Sequence, residues 1–385
     1  MTFKKATFFF IISLILGSIN VLYSQISVTY KGTRYYPIPK EYLHSTFEKS
    51  QYDNEVKEYY KTGFYAETAI GIISLEEDLT EKLQKVIDKN PIVILPNRDL
   101  FINENGLKLK SDQVLIFQEK TRLKSIPNNK THFAVLIINE IKNVKIFNAN
   151  ILGERFEHIG NKGQWGMGIR IMASENVQLY NPTVKEMWGD GIYIGGRNGK
   201  PSKNIGVYNA FLDNNRRNGL SITSADCVKL IKPLVANSNG QSPKAGIDIE
   251  PNSNDDIINN VIIDNPICFY NPIYGIVVSL TRLPGVKPKE VNVEINNPLI
   301  VGGKYGIAVL GIYNNPNRNK ITGTIKVKNL TTYYTALTIK EFLKPQYDIK
   351  INFSIKNIYH KSKNGEIYSN EEQLNKFIGN LKILK

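Results

Sequence analysis

The chain has 385 residues, 42% hydrophobic and 22% charged, with 49 Lys and Arg against 35 Asp and Glu for a formal charge of +14. That composition excludes a disordered chain, and two cysteines exclude a disulfide framework. A single short apolar stretch, at the start, excludes a multi-span membrane protein.

Lys4 and Lys5 precede an apolar run from Phe8 to Tyr23 that ends at Ser24-Gln25 with no acidic residue. This is the layout of a cleaved signal peptide over residues 1–24, and it predicts a secreted or periplasmic protein. Gly17, Ser18 and Asn20 interrupt the run, so stable membrane insertion is not expected. No cysteine follows the cleavage region, which argues against a lipid-anchored form. Residues 25–74 read as an N-terminal extension. Leu75, Leu79, Leu83, Val86 and Ile87 then have helical spacing and predict a cap helix. No Pro/Gly/Ser-rich linker divides residues 75–364, which predicts one elongated repeat domain. Ser369 to Glu372 form a capping box ahead of Leu374, Phe377, Ile378 and Leu381, predicting a C-terminal cap helix within residues 365–385.

A four-residue signature recurs within the body: Gly168-Ile-Arg-Ile171, Gly191-Ile-Tyr-Ile194, Gly219-Leu-Ser-Ile222, Gly246-Ile-Asp-Ile249, Gly275-Ile-Val-Val278 and Gly306-Ile-Ala-Val309. Ala134 to Ile137 and Ala336 to Ile339 read as degenerate copies. A second alternating strand follows in each repeat, for example Val177-Gln-Leu179, Val261-Ile-Ile263 and Val293-Glu-Ile295. Asn181, Asn209, Asn265, Asn297 and Asn329 fall at one place after these strands, with Lys232 as the exception, and predict a stacked amide ladder. Repeats of variable length with a fixed strand pattern predict an all-β right-handed parallel β-helix with short capping helices at both ends. Cys227 and Cys268 fall at different positions of the repeat, so they are expected as a solvent and a core thiol.

The helix, Ile92-Val-Ile-Leu-Pro96, and a body carrying Trp188-Gly-Asp-Gly-Ile-Tyr-Ile-Gly-Gly196, Asn214-Asn-Arg-Arg-Asn-Gly-Leu-Ser-Ile222 and Ala245-Gly-Ile-Asp-Ile-Glu-Pro-Asn252 resemble the pectin-lyase-like superfamily. Within it, the chain is similar to secreted bacterial β-helix proteins related to glycoside hydrolase family 28. The resemblance covers residues 75–360 and implies fold more than reaction, since the superfamily holds hydrolases, lyases, epimerases and noncatalytic spikes.

Isoleucines at the second and fourth signature positions point inward, so the third positions form an external column: Arg170, Tyr193, Ser221, Asp248, Val277, Ala308. Glu250 shares the face of Asp248. Asp190, Arg216, Arg217 and Lys244 precede the same strands, and Trp165 and Trp188 offer flat surfaces for a sugar ring. Each has a plainer reading: Asp190 can bond turn amides, the arginines can pair with neighbouring rungs, and His158 in its loop can be simply solvated. The Asp248–Glu250 pair is the least easily explained by the fold, because adjacent carboxylates repel and need a cation or a shared proton.

The related hydrolases imply a role for Asp190 but place paired aspartates where this chain has Arg216-Arg217, and a histidine where it has Ala245 or Ile247. The carry-over stops at Asp190. Lyases and epimerases imply another set: Arg216 or Arg217, or a calcium ion on Asp248, Glu250 and Asn252, to neutralise a uronate, with Lys244 or an arginine as base and Tyr193 as proton donor. The lysine expected shortly after an acidic calcium strand is missing, since Pro251-Asn252-Ser253-Asn254 follows. Arg170, Trp188, Trp165, Ser221, Asn252 and His158 complete the substrate-binding expectation.

Removing Lys4 and Lys5 leaves +12, scattered over an exported chain, which favours an acidic polysaccharide partner over nucleic acid. The leading expectation is a polysaccharide-active enzyme on a uronate-containing glycan, by β-elimination or C5 epimerisation. A polygalacturonase-like hydrolase and a noncatalytic glycan-binding or envelope-structural β-helix are the alternatives. The oligomeric state is left open.

Overall fold

The computed structural model describes residues 27–43, 53–71, 74, 76–312, 318–361, 367–369 and 382–383. The expected signal peptide lies outside them. Residues 27–43 belong to a unit of their own, an antiparallel pair of Val28–Tyr30 with Thr33–Tyr35.

The second unit is a parallel β-solenoid of about nine turns. One of its sheets contains Leu107–Lys108, His132–Asn139, Trp165–Met172, Ile192–Gly195, Leu220–Ile222, Ala245–Ile249, Tyr274–Ser279, Tyr305–Gly311 and Leu337–Leu343, hydrogen-bonded in chain order. All six glycine signatures therefore stack in one sheet, with Ile169, Ile192, Leu220, Ile247, Ile276 and Ile307 in one inward row. The degenerate copies are displaced from the reading above: Leu136, not Val135, opposes Ile169, and Ile339, not Leu337, opposes Ile307. The second strands form the other large sheet, in which Val177, Ile205, Val228, Val261, Val293 and Ile325 align. Their inward side chains belong to one continuous core.

The signature glycines have a steric cause. A Cβ on Gly191 would lie 2.7 Å from the Gly219 carbonyl oxygen, and one on Gly246 would lie 2.6 Å from that of Gly275. The close approach accompanies a switch of face, so the residue before each glycine and the residue two after it both point outward. The register of the site rests on this switch. Met167 thus clusters with Ala134 and Ile137, and Ala245 with Val277 and Ala308, both groups apart from the core.

Asn181 donates to Asn148, Asn209 to Asn181, Asn297 to Asn265 and Asn329 to Asn297, at 2.8–3.2 Å. Each donor has φ between 51° and 58°, a left-handed turn that asparagine tolerates. Lys232 adopts the same turn with φ 51° and divides the ladder in two.

The cap helix is Thr80–Lys89, starting later than its apolar spacing suggested because Asp78 accepts from the Thr80 amide and hydroxyl at 3.0 and 2.6 Å. It buries Leu83, Val86 and Ile87 on the solenoid end, where unpaired strands would otherwise be open. The N-terminal extension contains a helix the sequence reading missed, Asp53–Thr62, whose Val56, Tyr59 and Tyr60 cover an external patch of Ile94, Ile116, Phe147 and Tyr180. The expected C-terminal cap helix lies outside the described residues except at Ile367–Ser369, a strand antiparallel to Tyr359–Lys361, and Lys382–Ile383, a strand parallel to Asn352–Phe353. Cys227 is exposed and Cys268 buried, both free, and burial pushes the Cys268 thiol pKa up.

Candidate active site on the outward face of the glycine-signature sheet

Three successive rungs place Asp190, Asn218 and Ala245 ahead of their glycines and Tyr193, Ser221 and Asp248 behind them. Arg217 reaches across this lattice. Its Nη1 donates to Asp190 Oδ2 at 2.7 Å, while Nη2 stands 3.8 Å from both Asp248 Oδ2 and Glu250 Oε2. Ser221 donates to Asp190 at 2.8 Å, and the Asn218 side chain donates to Asp248 Oδ2 at 2.9 Å. The Asn218 amide adds a third bond to Asp190, at 3.2 Å.

From Ser221 onward the external column is outward but not solvated, which corrects the sequence reading. Asp190 and Asp248 are 0% and 1% exposed, and Ser221 is 1% exposed. Ser221 is therefore a buried donor to Asp190 and not a surface contact for a sugar. Glu250 keeps a third of its side chain in solvent and is the carboxylate a ligand meets first.

Three carboxyls share one guanidinium, an imbalance with visible consequences. Burial raises the Asp248 pKa well above its ordinary value, the Glu250 and Asp190 charges push the same way, and Arg217 and Asn218 only partly offset them. Asp248 Oδ1 is buried with no hydrogen-bond partner, the atom on which a retained proton would sit. Burial also raises Asp190, against Arg217, Ser221 and the Asn218 amide. Burial opposes the charge of Arg217, but Asp190, Asp248 and Glu250 outweigh it and raise its pKa. Arg217 is thus a fixed cation and unsuited to act as a base.

Tyr193 lies across the same face. Its hydroxyl is 2.9 Å from Thr223 Oγ1, and Gly195 leaves room for the ring, since a Cβ there would come within 2.6 Å of it. Burial raises the Tyr193 pKa further than its Thr223 and Asn252 bonds lower it. One rung earlier, Arg170 is half-buried beside Tyr193 with its Nε unpartnered. Asn252 is exposed at the mouth of the turn held by Asp256.

Several expected residues are elsewhere. Arg216 turns away from its neighbour: its guanidinium lies 3.6 Å from the Trp188 ring centroid, and Nη1 donates to the Gly163 and Trp188 carbonyls. Trp188 has its other face against His158, 3.9 Å away and nearly parallel, so neither face is free for a sugar. His158 is not a solvated loop residue. Its ring is buried and Nδ1 is 3.0 and 3.1 Å from the two oxygens of buried Glu154. Burial raises Glu154 to about 8 and lowers His158, so the pair shares one proton without net charge. Arg155, which burial pulls down to about 10, fastens this loop to the Asn214 and Asn239 turns. Lys244 makes no ion pair with Asp248 or Glu250 and occupies a left-handed turn with φ 59°. Trp165, by contrast, stays on this outward face, half-buried, where it packs with Tyr193 against Ala134, Ile137 and Met167 and stacks on His132 at 4.2 Å.

The sequence reading missed Asn218, Thr223 and Glu154. Asn218 had a readable signal, since it occupies the place of Asp190 ahead of the next glycine. Glu154 had none, because its loop lies outside the repeat.

Calcium fits this set poorly. Arg217 already faces all three carboxyls, and among the described residues no group of three or more His, Cys, Asp or Glu is arranged to hold a metal ion.

No protein-family model matches the chain. It is 29% identical over 160 residues to the uncharacterized protein YclG of Bacillus subtilis, covering 38% of this chain and 27% of that protein. It is 25% identical over 189 residues to the SPbeta prophage-derived uncharacterized protein YorA of the same organism, covering 42% and 32%. The chain thus spans less than a third of either relative. Among solved structures it is similar to a 1,3-alpha-1,4-beta-D-galactose-4-sulfate-3,6-anhydro-D-galactose-2-sulfate 4 galactohydrolase, with TM-score 0.56, 13% identity, and 70% of this chain and 71% of that one covered. It is also similar to an iota-carrageenase complexed to iota-carrageenan fragments, with TM-score 0.54, 12% identity, and 70% and 73% covered. At such identities these likenesses define the class by fold: a parallel β-helix protein.

Proposed function

We propose that the protein is a polysaccharide-active β-helix that hydrolyses an acidic glycan at the centre formed by Glu250, Asp248, Asp190 and Arg217. The observation that carries this reading is the unequal pair around one guanidinium: an Asp248 that is buried with Oδ1 unpartnered, its pKa raised by burial, and a Glu250 open to solvent. Glycoside hydrolysis needs two carboxyls with different roles at one centre, and carboxyls in environments as different as these two suit it. Glu250 meets the substrate. Asp248, whose pKa burial raises, is the candidate proton donor, and Arg217, held by Asp190, faces both carboxyls. One solved neighbour above is named a galactohydrolase and the other an iota-carrageenase, which supports hydrolysis of a polysaccharide. The excess of basic residues suits an anionic chain.

β-elimination and C5 epimerisation of a uronate keep Tyr193 as proton donor and Lys244 as base but lose Arg216, which is committed to Trp188 and two carbonyls. Polygalacturonate, alginate, carrageenans and glycosaminoglycans should be screened for new reducing ends, for an ultraviolet-absorbing unsaturated uronate and for C5 proton exchange. Reducing ends without the chromophore support hydrolysis, and Glu250→Gln should then lower turnover about 100-fold or more. The chromophore or C5 exchange would replace hydrolysis with the second reading, and binding without any product would leave a noncatalytic glycan-binding protein.

A further inference from the structure

The register that builds the acid centre continues past it. The residues ahead of the glycines run Asp190, Asn218, Ala245, Tyr274, Tyr305, and those two after run Tyr193, Ser221, Asp248, Val277, Ala308, with Lys340 paired to Ala308 on the next rung. Within two rungs of Glu250, about 10 Å along the stack at ~4.8 Å per rung, the outward face changes from acidic to aromatic and basic. Tyr274 and Tyr305 stack with centroids 5.4 Å apart and planes 22° apart. Tyr274 and Leu310 pack on the buried patch of Ala245, Val277 and Ala308. The Lys304 ammonium is 5.1 Å from the Tyr305 ring, and that of Lys340 is 5.9 Å from Phe342, itself 41% exposed. Neither lysine makes an ion pair among the described residues.

We propose that Tyr274 and Tyr305, with Lys304 and Lys340, form a track that holds an acidic polysaccharide and leads it to Glu250. Unlike Trp188, which is 7% exposed, Tyr274 and Tyr305 are only half-buried and leave part of their stacked rings open to the apolar C–H groups of a pyranose, while carboxylate or sulfate groups need cations not already neutralised by the protein. This surface offers both on one face, in register with the acid centre. Tyr274 is paired with Ala245 on the strand that carries Asp248, so track and centre occupy adjacent rungs. The inference rests on the acidic-glycan reading above, but it concerns binding, so its test is separable from turnover.

The probes are polygalacturonate, alginate and iota-carrageenan, with neutral dextran as control, run in affinity electrophoresis against the full chain, Glu250→Gln, Tyr305→Ala and a Lys304→Gln/Lys340→Gln double variant. The parent and Glu250→Gln should be retarded by at least one acidic probe and not by dextran. Tyr305→Ala should weaken that retardation about tenfold, the value of one aromatic contact. The double lysine variant, whose positions leave the core untouched, should weaken it similarly at low salt. On any probe that is turned over, the loss should fall on KM and grow with chain length. Retention of the probe without any turnover would support the track and count against the active-site reading. Unchanged binding by the lysine variant, equal retardation by dextran, or no retardation of the parent by any acidic probe would overturn the track, even if turnover locates the acid centre correctly.

Discussion

Arg216 and Arg217 are neighbours in the chain and serve two different clusters. Arg217 is surrounded by Asp190, Asp248 and Glu250, more negative charge than it can neutralise, and one of those carboxyls is open to solvent. Arg216 closes a stack in which Trp188 is held between a guanidinium and His158, and the charge of Glu154 beneath is removed by protonation. Both clusters contain buried titratable groups with shifted pKa values. They differ in whether the charges are resolved inside the protein. The Glu154–His158 pair is complete, as a structural element should be. The Asp248–Glu250 pair is left incomplete, with one bare oxygen and one exposed carboxylate, as a site awaiting a ligand should be.

The sharpest way to break this contrast is to remove each arginine. Arg217→Ala would leave three carboxyls without their cation and should cost about 3–5 kcal/mol along with all turnover. Arg216→Ala loses a cation–π contact and two hydrogen bonds to carbonyls, and should cost about 1–3 kcal/mol while turnover on the right glycan persists. Urea unfolding of the two variants checks the order. Equal activity loss in both would mean that the Trp188 stack belongs to the active site.

A smaller effect lies in the pH dependence of stability. Glu154 has its folded pKa raised from 4.5 to about 8, so the native state holds the proton more tightly. Its contribution is complete below pH 4.5 and is lost as pH rises through about 8. Asp248 acts in the same direction from 3.8 upward. His158, lowered from 6.5, acts oppositely and loses its contribution as pH falls through its lowered value. Glu154→Gln should therefore flatten the fall in melting temperature between pH 5 and 8, roughly the window set by its raised pKa. An unchanged slope would mean that Glu154 is ionised and paired with a charged His158.

A last effect, local to one turn, concerns the ladder. Asn297→Ala loses its bonds to Asn265 and Asn329 and places alanine at φ 51°, for a cost of about 1–3 kcal/mol. Asn297→Gly should recover the backbone part. If both variants cost the same, the amide ladder and not the turn conformation carries the stability.

The repeat was legible because each rung solves the same problem with the same residue types. Glycine allows a close carbonyl, Ile, Leu or Val fills the core, and asparagine takes the left-handed turn. The carboxylates of the site were legible for the opposite reason, since Asp248 and Glu250 depart from the repeat. Two things were hidden. The face switch at each glycine placed the residues before it in the site, so Asn218 was overlooked and Ser221 was read as exposed. The fate of Arg216 depended on the 153–164 loop, whose length and path follow no period. Helix Asp53–Thr62 was missed because its partner, the Phe147–Tyr180 column, is an apolar patch on the outside of a sheet and not part of the core.

The account rests on Asp248 being functional and not structural. The most direct measurement is turnover of the identified acidic glycan by Asp248→Asn, set beside its melting temperature. The account predicts a fall in turnover of about 100-fold with an unchanged or slightly higher melting temperature, because the fold gains nothing from a buried carboxyl with an unpartnered oxygen. Full turnover with a large loss of melting temperature would contradict it, and would make the Arg217 cluster an internal ion pair of the solenoid.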